Sequence, residues 1–288
     1  MNLPAGFAAP TAYEWADDSR MDRIEAVLGA NAKVSLADSM ALQIDETSML
    51  ARRATAMLAN VTGETPDQKA ALAMLRAWNG VIAADSAAAA LFEIWQSRHL
   101  APAAVAAIVP AAARPAFVRA DPNAVIDVLE ARHPMLGGDA NRAAILKTSL
   151  AAAWVDATAL MGPEPATWKW GSLHQARWSP ALALPGRAAE QMVGPLPVGG
   201  AGSTPRAGSH RGTDLTLAHG ASVRMVIDVG AWDNSVVINT PGQSGDLASP
   251  HYRDLFPLWA AGKYVPMLWS RPRVLAEAES IIRAVPAR

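Results

Sequence analysis

Cysteine is absent from the 288 residues. That excludes a thiol nucleophile, a disulfide framework and cysteine-ligated zinc, and it fits either redox compartment. An excess of one charge is also missing: 25 Lys and Arg against 26 Asp and Glu leave a formal net charge of -1. Such a balance offers no electrostatic hold on nucleic acid or an anionic membrane. No uninterrupted apolar run reaches the roughly 18 residues needed to span a bilayer. At Met1-Asn2-Leu3-Pro4 there is no basic stretch leading into an apolar one, so no secretory signal is present. Taken alone that reads as cytoplasmic, whereas in a longer gene a signal would lie upstream of Met1. Hydrophobic residues make up 51% and charged residues 18%, which excludes a disordered or collagen-like chain and leaves room for one large or two ordinary domains.

The first part of the chain, 1–160, reads as mainly helical. Met21, Ile24, Val27 and Leu28 recur at helical spacing and predict one buried face. Ser35 with Asp38 has the form of a capping box, in which a hydroxyl and a carboxylate satisfy each other's unpaired backbone N–H groups. Thr65-Pro66 with Gln68 is a stronger helix start, and Trp78-Asn79-Gly80 marks its end, where glycine relieves left-handed strain. Further helices are predicted at about 86–99, 102–110, 122–131 and 140–160.

The texture of 161–288 is different. Seven prolines between 162 and 209 preclude long helices, yet Trp168, Trp170 and Trp178 argue against a solvated linker. That segment is expected to lie irregularly over a core, held by burial of its tryptophans. Alternation of Val223, Met225, Ile227 and Val229 with Arg224, Val226 and Asp228 predicts a strand over 222–229. A second strand over 235–239 should pair with it antiparallel across a turn at 230–234. Helices are expected again at about 252–261 and 271–284.

Several motifs then fall in a recognisable order. Glu14-Trp15, Arg20, Arg23-Ile24 is the first. Gln43-Ile44-Asp45 with Ser48 and Ala51, Leu75 with Trp78-Asn79-Gly80, and Trp170-Gly171-Ser172-Leu173-His174 follow. The most specific block runs G-A-S-x-R-x-V-x-D from Gly220, W-D-x-S from Trp232, P-G-Q-S-G from Pro241, S-P-H-Y-x-D from Ser249 and W-x-x-G-x-Y-x-P from Trp259. In this order the chain resembles the C-terminal part of the large subunit of the penicillin amidase family, N-terminal-nucleophile hydrolases that cleave amide bonds.

The resemblance implies an α+β chain, part of a four-layer αββα fold, in a periplasmic parent enzyme. It also implies a small-molecule N-acyl substrate, such as a β-lactam bearing an acyl side chain or an acyl-homoserine lactone. A further partner would be the N-terminal portion or small subunit of the same precursor. Nucleic acid and membrane are not expected partners. The family's nucleophile is a serine at the start of the mature large subunit, whose own α-amino group, with an intrinsic pKa near ~8, serves as base. Met1 cannot be that serine, so this chain alone is expected to be inactive. Arg20 matches the arginine that orients the family's oxyanion-binding asparagine, a task suited to a fixed fork of donors. Asn2 is the candidate for that asparagine, although the spacing places the family residue more naturally just upstream. No cofactor is expected. Calcium is bound by many members, but the aspartate expected between Pro4 and Trp15 is not found: 6–13 is acid-free, and Glu14 is the only carboxylate there.

Other residues invite functional readings and fit plainer ones. His174 has no second histidine near it in sequence and reads as a hydrogen-bonded structural residue. Asp228, Asp233 and Asn234 sit at a strand end and a turn, where such side chains bond the local backbone. Gln243-Ser244 lacks the spacing of a nucleophile elbow, and 199–202 lacks the lysine and strand-to-helix context of a phosphate loop. A non-catalytic helical interaction domain derived from such an enzyme is the competing reading.

Overall fold

The computed structural model describes residues 17–116, 120–212 and 214–286. Its first half is helical: α1 (Ser19–Gly29), α2 (Leu36–Gln43), α3 (Met49–Ala56), α4 (Pro66–Ala77), α5 (Ala87–Ile94), α6 (Ala101–Ile108), α7 (Pro122–Glu130) and the long α8 (Asp139–Met161). Both predicted capping boxes are formed, Ser35 with Asp38 on α2 and Thr65 with Gln68 on α4. After α4 the chain turns at Gly80, whose φ of +80° suits a residue without a side chain, and an added Cβ would stand 2.8 Å from Arg52 Cγ.

The helices predicted at 86–99 and 102–110 are one continuous run. A π-helical turn, Trp95–Leu100, joins α5 to α6, with the Ala101 N–H donating to the Gln96 carbonyl. Pro102 has no N–H to contribute to a regular ladder, and the widened turn just before it absorbs the mismatch. Along α5, Ala89, Ala90, Leu91, Phe92 and Ile94 are all fully buried, and α8 packs across this run with Leu146, Leu150, Ala153 and Ala157. Among the described residues, α8 is the one helix long and apolar enough to cross a membrane by length and composition. Here it is a core helix, and Trp95 Nε1 donates to Ser149 Oγ at 2.9 Å across its contact with the π-turn. One expectation is met only in part: along the apolar face of α1, Ile24 and Val27 are half-buried. Met21 and Leu28 are exposed, because α1 lies chiefly against α3.

The proline-rich segment does drape over the helical core, and Trp168 and Trp170 are buried in it, each donating its indole N–H to a glycine carbonyl, Gly162 and Gly200. Trp178 is half-buried, edge-on to Trp259. The segment is also more regular than predicted. After the short helix α9 (Trp170–Leu173), strands β1 (Gln175–Trp178) and β2 (Val193–Pro197) pair antiparallel, with α10 (Ala188–Gln191) between them. Strands β3 (Gly208–His210) and β4 (Leu217–Gly220) form a second pair. Each strand is too short to carry a legible alternation.

The predicted hairpin is present. β5 (Val223–Val226) pairs antiparallel with β6 (Val236–Asn239) in the register Val223↔Asn239 to Val226↔Val236, across a 3₁₀ turn at Trp232–Asn234. A third strand, β7 (Val265–Pro266), adds to β6. Two C-terminal helices, α11 (Leu255–Ala260) and α12 (Arg271–Ala276), are shorter than predicted. Ala176, Val193, Val198, Ile238, Phe256 and Trp259 make a second, smaller core. The whole is α+β, a helical body followed by three small antiparallel sheets.

Candidate functional site

The motif segments, far apart in sequence, converge on one polar seam. Asp45 accepts Arg23 Nε and Nη2 at 2.8 and 2.6 Å, and its second oxygen accepts the Thr47 N–H at 2.7 Å. Burial pushes the Asp45 carboxyl up, but the bonds from Arg23 and Thr47 outweigh it and hold the group below its usual range. The neighbouring Glu46 shows the opposite balance. Its carboxyl is raised by desolvation despite Arg206, whose Nη1 donates to Glu46 Oε1 at 2.8 Å. Gly199 and Gly200 make room for this ion pair: a Cβ on Gly199 would lie 2.0 Å from Glu46 Oε1, and one on Gly200 2.2 Å from the Arg206 carbonyl. Ser48 caps α3 and shares a buried 2.8 Å hydrogen bond with Ser203. Its own N–H donates to Gly80, and Trp78 Nε1 donates to Val81.

The Trp170–His174 motif closes the seam from the other side. The Trp170 and Gly171 N–H groups donate to Ser86 and Ala84, and the Gly200 N–H to Ile82. His174 is fully buried, stacked on Trp170 at 4.6 Å with the rings 8° apart. Its Nδ1–H donates to the Leu215 carbonyl at 2.9 Å, which leaves Nε2 without a proton or a partner. Burial lowers its pKa to about 4, so the ring is neutral at pH 7. The plain reading of His174 as a structural histidine fits this geometry. Sequence reasoning missed its neighbour: His210 lies 6.0 Å away, ring to ring, and Nε2 of His210 meets Glu93 Oε2 at 2.9 Å in a buried pair.

Ser203, His210 and Glu93 together line a cavity of about 160 Å³, which invites comparison with a serine–histidine–acid triad. The hydrogen bonds are wrong for one. A triad histidine turns one nitrogen to the acid and the other to the serine. Here the second nitrogen of His210, Nδ1, faces the Arg211 carbonyl at 3.2 Å, and the Ser203 hydroxyl is held by Ser48.

Arg20 sits in the first turn of α1, exposed, with no hydrogen-bond or ion-pair partner among the described residues. Asn2 lies outside the described residues, as do Glu14 and Trp15. The turn residues bond backbone as expected, Asp228 to Gly230 and Ala231, although Asp233 reaches further, to the N–H groups of Trp269 and Ser270. Gln243 and Ser244 both donate their N–H groups to the His251 carbonyl, an ordinary packed loop. Among the described residues no group of three or more His, Asp or Glu side chains is placed to hold a metal ion.

With this geometry in place, comparison with known proteins is informative. The sequence profile described as penicillin amidase matches residues 1–276. The chain belongs to the penicillin amidase family. It is 37% identical over 131 residues to the acyl-homoserine lactone acylase QuiP of Pseudomonas putida, a match covering 44% of this chain and 16% of that protein. It is 39% identical over 123 residues to the penicillin acylase 2 proenzyme of Pseudomonas sp. strain SE83, covering 41% and 16%. The matched stretch is thus about a sixth of the length of these relatives. The fold is that of a thermostable penicillin G acylase from Alcaligenes faecalis, at a TM-score of 0.62 and 18% identity over all of this chain and 56% of the other.

Proposed function

We propose that this chain is the C-terminal portion of the large subunit of an acylase that hydrolyses a linear amide in an N-acyl compound. The observation that carries the reading is the family match over residues 1–276. Relatives named as an acyl-homoserine lactone acylase and a penicillin acylase support a choice between two acyl-amide substrates, an acyl-homoserine lactone and a β-lactam with an acyl side chain. The nucleophilic serine and its α-amino base belong to a part of the enzyme outside this chain. That assignment is supported by the hydrogen bonding of Ser203 and Ser48, whose hydroxyls meet each other rather than a base among the described residues.

In this reading the chain's own contribution near the chemistry is the start of α1. Arg20 would be a positioning residue, holding the asparagine amide that donates to the developing oxyanion. Asn2 is the candidate for that amide within this chain, and an asparagine just upstream is the other. The rest of the precursor is the obligate partner, and the working compartment is the periplasm.

The test uses the intact protein that carries this chain, incubated with a chromogenic phenylacetyl anilide and with a long-chain acyl-homoserine lactone. Release of the free acid from either, together with a large subunit whose first residue is serine by N-terminal sequencing, is the expected result. The 288-residue chain alone should release none. Turnover by the chain alone, surviving substitution of Asn2 and Arg20, would place the chemistry elsewhere, and inertness of the intact protein toward every N-acyl amide would end the proposal.

A further inference from the structure

Arg224, in β5, is 6% exposed and has no carboxylate partner among the described residues. Its Nη2 donates to the Trp259 carbonyl, and its guanidinium lies over the rings of Trp259 and Tyr264, at 5.5 and 5.7 Å. Its Nε–H is buried and meets no acceptor. A buried cation is costly unless an opposite charge compensates it. Desolvation lowers the Arg224 pKa to about 10, with Arg206 adding to the effect, yet the group stays charged at neutral pH. The seam carboxylate Glu46 is already engaged by Arg206.

Beside this unpaired charge there is space. An internal cavity of about 20 Å³ is lined by Arg224, Arg206, Gln43, Gly199, Leu217 and Trp259, among others. A single small species needs roughly 10–15 Å³ by this measure, so the cavity holds one water-sized occupant and no polyatomic acid of any size. The side chains that line it include two guanidinium groups and no carboxylate, and the Gln43 amide is engaged at both ends, by the Tyr264 hydroxyl at 2.8 Å and the Met225 carbonyl at 2.9 Å. Water would satisfy the Nε–H but leave the charge uncompensated. A monatomic anion does both.

We propose that this cavity is a binding site for one small monovalent anion, a halide such as chloride, which accepts the Nε–H of Arg224. The site lies in the terminal sheet region and takes no part in the proposed hydrolysis. The ion ties β5, the 199–208 loop and α11 together, since those elements supply its lining.

The test is thermal unfolding of the intact protein carrying this chain, at fixed pH and ionic strength, in sodium chloride or bromide against sodium gluconate, whose anion cannot enter. Chloride and bromide should raise Tm by roughly 1–2 °C per tenfold concentration above half-saturation, and gluconate should leave it unchanged. A bromide-soaked crystal should give an anomalous peak within hydrogen-bonding distance of Arg224 Nε. Arg224→Gln should abolish the halide response. Because that variant risks misfolding, Ala207→Val, which fills the cavity and keeps both charges, should abolish it too. Equal Tm in chloride and gluconate, a halide response that persists in Ala207→Val, or density at the site without anomalous signal would each overturn the proposal and leave a water there.

Discussion

Glu93 and His210 are 117 residues apart and meet as a buried pair, Oε2 to Nε2, at 2.9 Å. The other ring nitrogen also faces an acceptor, the Arg211 carbonyl. Both ring nitrogens thus face acceptors, and Glu93 Oε2 also accepts from Gln96 Nε2 at 3.0 Å, so loss of the carboxylate takes a partner from two side chains at once. Breaking a buried pair from one side typically costs about 3–5 kcal/mol. Glu93→Ala should destabilise the protein by that order in urea unfolding. A loss under about 1 kcal/mol would mean that water reaches the pair and screens it.

Ser48 and Ser203 share one hydrogen bond but should not be equivalent. Ser48 also caps α3, accepting the Ala51 N–H at 3.0 Å. Ser48→Ala removes a cap worth about 1 kcal/mol and leaves the buried Ser203 hydroxyl unpaired at about 1–3 kcal/mol. Ser203→Ala spares the cap. Denaturation of the two variants should rank Ser48→Ala as clearly the more damaging, and the reverse order would show that the cap contributes little.

His174 predicts a pH dependence. Its folded pKa, about 4, lies below the ordinary value of 6.5. Between these values the unfolded chain binds the extra proton, so stability is full above about pH 6.5 and falls as the pH drops toward 4. The loss across that window is on the order of 3 kcal/mol for this group. Urea midpoints measured from pH 7 to pH 4 should fall, and His174→Phe, which keeps a ring against Trp170, should flatten the profile. A profile identical in the variant would show that other groups set it.

The outer row of β5 and its extension is apolar and open: Val223, Met225 and Ile227 are 43%, 43% and 41% exposed, and Val229 more so. The edge itself is only partly covered, by Gln43 Nε2 donating to the Met225 carbonyl at 2.9 Å. Open edges beside apolar side chains recruit other strands. The isolated chain is expected to self-associate, and replacing Val223 and Met225 by lysine should disperse it with little change in unfolding free energy. Light scattering decides this: a monodisperse, cooperatively melting monomer of the unaltered chain rules the idea out.

Arg20 offers a kinetic test of the proposed function. It has no partner among the described residues, so truncation should leave folding unaffected. In the intact enzyme Arg20→Ala should lower kcat by roughly 10²–10³, the usual effect of disturbing one oxyanion donor, and change KM less. Unchanged turnover with unchanged folding would make Arg20 an ordinary surface residue.

Local chemistry in the sequence determined a good deal about this protein. The caps at Ser35 and Thr65, the turn at Gly80 and the pairing of β5 with β6 were legible because each rests on residues within a few positions of one another. The motif order carried the family for the same reason, as short segments with fixed internal spacing. Strands β1 to β4 and β7 were not legible: they are two to five residues long, and distant partners rather than local pattern make them strands. The fused run of α5 and α6 was hidden because Pro102 signals a break, and only packing against α8 holds the π-turn that bridges it. The tertiary structure alone decided which polar residues meet. Ser48 with Ser203, Glu93 with His210 and Arg206 with Glu46 are separated by 155, 117 and 160 residues. Sequence periodicity places a side chain on a face, whereas burial of a charge or a hydroxyl depends on a partner that only the folded chain brings within hydrogen-bonding distance.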